Sequence, residues 1–208
     1  MKNLEIKFLI IISIFLCCFN CISNNNSFDN DSSVIEVELP QDEKNTFEFF
    51  RRMETILDSI NEPKLGDLGF ESYRFSHFDS FQKHKLFRLN HYNDADNELV
   101  VKFFESKGIE SNEIYTLISE EKMDLTNEQF HDFSKLIKGS YFWSMNTFEN
   151  PIPQYLDGYV YILEGNISSD DYSSLRNHKV VRVVPHEGSF REACEKLEEF
   201  YEQAKTKK

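Results

Sequence analysis

Six runs rich in aromatic and β-branched residues, joined mostly by connections too short to hold a helix, constrain this fold more than any other feature of the chain. They run from Glu71 to Phe78, Lys85 to Tyr92, Leu99 to Glu105, Ile114 to Ser119, Gly158 to Gly165 and Lys179 to Val184. Two parallel neighbours need a crossover of about a dozen residues or more, usually a helix. Most of these strands therefore pair antiparallel, as hairpins or a meander.

Three helical stripes complete the pattern. Phe50, Met53, Leu57 and Ile60 recur at helical spacing from about Asn45 to Ile60, with Asn45 and Glu48 as a capping pair and Pro63 and Gly66 beyond the end. From Thr126 to Ile137 the stripe is Phe130, Phe133, Leu136 and Ile137, capped by Thr126 with Gln129 and stopped by Gly139. The last helix starts at Ser189, with Glu192 as cap partner and Ala193, Cys194, Leu197, Phe200, Tyr201 and Ala204 as its apolar face. The expected class is α+β, a mostly antiparallel sheet of about six strands with N-terminal, middle and C-terminal helices packed on one face.

Ahead of this domain, residues 1–21 have a different character. Lys2 and Lys7 precede an apolar run from Phe8 to Phe19, and Cys17, Cys18 and Cys21 follow or close it. About 12 apolar residues fall short of the roughly 20 that cross a bilayer and suit the core of an export signal. The segment resembles a bacterial lipoprotein signal, which implies lipid on Cys21 or Cys18 and a protein anchored at the cell envelope, periplasmic or at the surface. An uncleaved anchor or a plain secretory peptide are the other readings of the same residues. Residues 22–40 include the polar run Ser23 to Ser33 and form a tether too poor in apolar side chains to order itself. Residues 41–208 make the single domain, which holds 16 of the chain's 20 Phe, enough to supply one core.

The whole chain carries 23 Lys and Arg against 36 Asp and Glu, a net charge of −13. The leader holds two lysines and one glutamate, so the remainder is more negative still. Such a surface repels phosphate backbones and anionic lipid and favours a basic partner over nucleic acid. Outside the leader only Cys194 remains. With no second cysteine to bridge, the domain depends on its core, and Cys194 belongs to the helical stripe as a small buried hydrophobe among glutamates rather than as a nucleophile.

Charges embedded in the strands are the candidate site. Arg74, Arg88, Lys102, Glu164 and Arg182 have apolar neighbours, and Asp157 opens the strand that carries Glu164. On a pleat Lys102 points with Val100 and Phe104, Glu164 with Val160 and Ile162, and Arg182 with Val180 and Val184. Converging, they form a charged floor able to hold an anionic group or move a proton; otherwise they pair across strands on a wetted face. A second candidate is the loop from Trp143 to Asp157, in which Trp143 and Tyr155, with Tyr159 just beyond, serve either as a recognition lip or as cover for the core.

No cofactor motif and no metal-ligand spacing is present. His77, His84 and His91 recur every seven residues, but an odd spacing alternates faces in a strand, so only the hairpin partners His77 and His84 can meet. Ser189 near His186 is better placed as a helix cap than as a nucleophile.

The succession Ser72-Tyr73-Arg74, Phe87-Arg88-Leu89, Val101-Lys102-Phe103, Phe142-Trp143, Asp157 to Glu164, Val181 to Pro185 and Phe190-Arg191 with Cys194 resembles a set of uncharacterised exported bacterial proteins. The likeness spans about residues 70 to 200 and implies one intact domain, with no activity attached. Function is thus expected to be binding by a membrane-tethered exported protein, of immunity type if the partner is a basic toxin. The alternatives are an envelope hydrolase using Glu164 or Asp157 with the strand arginines, and a structural envelope lipoprotein.

Overall fold

The computed structural model describes residues 41–79, 83–93, 96–107, 114–148, 159–168, 175–185 and 187–206. The leader, the tether, Tyr155, Asp157 and His186 lie outside the described residues. Strands β1 (Glu71–Asp79), β2 (Lys83–Asn93), β3 (Asp96–Lys107), β4 (Ile114–Leu125), β5 (Tyr159–Ser168) and β6 (Leu175–Val183) form one sheet in the order β4-β3-β2-β1-β5-β6. All five pairings are antiparallel. The first four strands make a meander, and β5 returns to the open side of β1. The class is α+β, as the short connections require.

Helix α1 (Gln41–Ser59) precedes the sheet, α2 (Asn127–Gly139) joins β4 towards β5, and α3 (Ser189–Thr206) ends the domain. The Thr126 hydroxyl accepts from the Gln129 amide while the Gln129 side chain accepts from the Thr126 amide, the reciprocal cap read from the sequence. At α1 the expected cap is displaced: the helix begins at Gln41, so Asn45 is inside it and Glu48 instead pairs with Arg51. β4 also runs six residues past Ser119, because the charged stretch Glu120 to Asp124 belongs to an edge strand with one wet side.

The helices divide between the two faces instead of sharing one. Tyr73, Phe75, Phe87, Leu89, Leu99, Val101, Leu163 and Val180 pack under α2 and α3, against Phe133, Ile137, Cys194, Leu197 and Phe200. On the other face Leu86, Phe104, Val160, Ile162 and Val181 meet Met53, Ile56 and Leu57 of α1 and Ile60 just after it. Five consecutive residues of β1, Ser72 to Ser76, are buried, which only cover on both sides can achieve. The charged positions of the central strands accordingly lie inside the protein.

Gly165 of β5 shows how closely one face is packed. A Cβ there would lie 2.8 Å from a ring carbon of Phe142 and 2.9 Å from one of Trp143. The two rings come from a short 3-10 turn, Phe142–Ser144, after α2.

Candidate functional site

Strand register builds the charged row before any side chain is considered. Glu164 of β5 lies opposite both Lys179 of β6 and Arg74 of β1, and Arg74 opposite Arg88 of β2. One row away, Lys102 of β3 lies between Leu86 and Glu120. All these positions share the face covered by α1. Three cations thus converge where the pleat allows it, with relative exposures of 3% for Arg74, 7% for Arg88 and 1% for Lys102.

The residue that joins them is Glu62, from the turn after α1. Its side chain is fully buried, and its carboxylate lies 2.8 Å from Arg88 Nε, 3.1 Å from Lys102 Nζ and 3.6 Å from Arg74 Nη1. Burying charge is tolerable only when each group is paired and hydrogen-bonded. The cations meet both conditions, whereas Glu62 Oε2 has its ion pair with Lys102 but no hydrogen bond of its own. Arg74 donates through Nε to Glu164 Oε2 at 2.6 Å and through Nη1 to the Pro63 carbonyl at 2.9 Å. Lys102 donates to the carbonyls of Ile60 at 2.9 Å and Asn61 at 2.8 Å, placing its ammonium at the negative end of α1. Asn61 takes a left-handed φ of 52° there, which turns the chain so that Glu62 faces the sheet.

The network reaches the surface on both sides. Arg88 donates to Asn90 Oδ1, and Asn90 donates to Glu98 and to the Tyr92 hydroxyl. At the other end Lys179 pairs with Glu164 Oε1 at 2.8 Å. Burial alone pushes the Glu164 carboxyl upward, but Arg74 and Lys179 outweigh it and hold the group below its ordinary value of 4.5. Burial also opposes ionisation of Glu198 on the other face, where the His77 hydrogen bond and Lys85 more than compensate and lower it.

These shifts have a definite sign. A carboxylate whose folded value is depressed stabilises fully above its unfolded value and loses that contribution as pH falls through the folded one. Thermal stability should therefore decline as pH drops below 4.5, and the decline should be shallower in Glu164→Gln, followed by circular dichroism melts. Equal slopes for the two proteins would remove Glu164 from the acid response.

The other sequence candidates separate. Arg182 lies opposite Tyr161, on the α3 face, where it donates to the Asn146, Thr147 and Val181 carbonyls and sits 5.6 Å from the Phe190 ring centre. It does not join the row, because its pleat parity is that of Val180. His77 also faces α3, beside Glu198 at 3.3 Å, while His84 faces the α1 side among Phe78, Phe104 and Tyr115, so the two do not meet. Trp143 packs on Phe142, Tyr73 and His178, and Tyr159 on His77 and Tyr161. Core cover describes Trp143 better than a recognition lip. Cys194 is fully buried, and burial, with Glu195 and Glu198 nearby, pushes its thiol well above the usual range.

Glu62 was missed because an Asn-Glu-Pro turn after a helix carries no periodicity to mark it. Its only sequence signal is indirect: three strand cations near one another need a carboxylate, and Glu164 is one short. No family model, curated protein or solved structure matches this chain.

Proposed function

We propose that this chain is an exported protein, held at the bacterial cell envelope by lipid on Cys21 or Cys18, whose α+β domain works by binding a basic protein partner in the manner of an immunity protein. The observation that carries the reading is where the positive charge sits. The described interior buries Arg74, Arg88, Lys102 and Arg182 but only Glu62 and Glu164 as counter-charges. The remaining residues therefore hold two more negative charges than the chain's formal −13. A surface of that sign steers cationic partners towards it and repels anionic ones.

The hydrolase reading has less support. Glu164 has one oxygen on Lys179 and the other on Arg74, and these cations favour its ionised form. A general acid at neutral pH needs the opposite, a carboxyl kept protonated near that pH. The cluster instead joins the end of α1 to the sheet.

Two measurements test the reading separately. Full-length chain made in bacteria fed an alkyne fatty acid should carry the label, and Cys21→Ala or Cys18→Ala should abolish it. For binding, cross-linking in the envelope fraction should yield a cationic protein. Its purified form should lose about tenfold in affinity between about 0.05 and about 0.3 M salt. A partner that is acidic, or an affinity indifferent to salt, would remove the electrostatic reading and leave the anchor untouched.

A further inference from the structure

A cleft of about 280 Å³ opens where the row of charges ends, between the second half of α1, the turn around Leu65 and the β5–β6 edge of the sheet. Its lining has three cations, Lys64, Arg74 and Lys179, and two carboxylates, Glu54 and Glu164. Arg74 is buried and engaged by Glu164, Glu62 and the Pro63 carbonyl, so the cations that can meet an entering molecule are Lys64 and Lys179. Inside the cleft the carboxylate of Glu164 is already committed on both oxygens, to Arg74 at 2.6 Å and Lys179 at 2.8 Å. It is therefore poorly placed to accept from anything that enters.

Donors remain. Lys64 is exposed at the rim, and no described side chain pairs with its ammonium. Lys179 keeps 29% of its side chain exposed; of the three hydrogens of its ammonium Glu164 takes one, and the Phe50 ring centre lies 4.8 Å from Nζ, which leaves a donor for an entering acceptor. Asn177, exposed, lines the same wall. Leu57 and Leu65 supply apolar surface between these groups. Glu54, exposed at the rim, disfavours a second negative charge.

From this arrangement we infer that the cleft binds a small organic monoanion, its carboxylate held by Lys64 and Lys179 and its short apolar body lying on Leu57 and Leu65. The volume is at the small end for ligand pockets, which suits a molecule of about ten heavy atoms. Nothing in this inference depends on a protein partner or on the lipid anchor.

The test is a titration of the isotope-labelled full chain followed by amide chemical shifts, with hexanoate, hexylamine and norleucine as probes. Hexanoate should saturate shifts at Gly66, Asn177 and Lys179 with a millimolar Kd, about what so few atoms can supply. In Lys64→Ala, a surface change that leaves amide shifts outside the cleft in place, the affinity should drop about fivefold. The inference is overturned if hexylamine binds as well as hexanoate, if norleucine binds more tightly and so identifies a zwitterion site, if Lys64→Ala binds unchanged, or if no probe saturates.

Discussion

Replacing Glu62 by glutamine is expected to destabilise the domain by about 3–5 kcal/mol, the cost of removing one partner from a buried ionic cluster. Glutamine keeps the shape and loses the charge, so packing is not the variable. Arg88 would be left with Asn90 Oδ1 as its remaining described side-chain acceptor. Arg74 would keep Glu164, and Lys102 would keep Glu120 at 3.4 Å, on a residue whose side chain is 35% exposed. For a domain of this size the loss corresponds to a fall in Tm of roughly 8–15 °C. The comparison is Glu48→Gln, which breaks a pair on α1 whose side chains are 64% and 59% exposed, and should change stability by less than about 1 kcal/mol. Similar melting points for the two variants would mean that Glu62 does not organise the cluster.

The second large effect concerns a single methyl group. In Gly165→Ala the new Cβ would sit 2.8 Å from Phe142 and 2.9 Å from Trp143, closer than carbon atoms approach without repulsion. Phe142 has no exposed surface, so its ring cannot swing away, and the 3-10 turn must shift with it. Overpacking of this kind costs about 1–3 kcal/mol. Trp143 is the only tryptophan, so its emission reports the displacement directly: a red shift should accompany the lower Tm. At Gly139 nothing lies within 4 Å of an added Cβ, and Gly139→Ala should be neutral or slightly stabilising at the end of α2. Equal tolerance at both glycines would show that the rings over Gly165 have room to move.

Much of the architecture was readable because it rests on local regularities. Alternation and composition located all six strands, and the capping pair at Thr126 and Gln129 placed the start of α2 within a residue. The second half of β4 escaped notice because Glu120, Glu121 and Lys122 look like a loop until the strand is known to be an edge. Which helix covers which face was not readable: α1, α2 and α3 are all amphipathic, and a stripe does not say what it meets. The candidate site divided in the same way. Pleat parity put Lys102 with Val100 and Arg182 with Val180, but parity within a strand says nothing about register between strands. Only register separates Arg182 from Arg74. Glu62 belongs to no strand or helix, so no periodic argument could reach it.

The Arg74–Glu164 pair has a consequence for assembly. β1 through β4 are neighbours in sequence and can find one another locally, whereas β1 meets β5 across 90 residues, where no hairpin turn fixes the alignment. A slip of two residues would keep the faces correct yet set Arg74 against Ile162 or Asn166 and Glu164 against Ser72 or Ser76. Each such arrangement breaks the 2.6 Å contact under α1, leaving Glu164 with Lys179 alone and Arg74 with only the longer 3.6 Å approach to Glu62. The buried pair thus acts as an alignment key for the joint between the two halves of the sheet, penalising misaligned closures that apolar residues alone would accept.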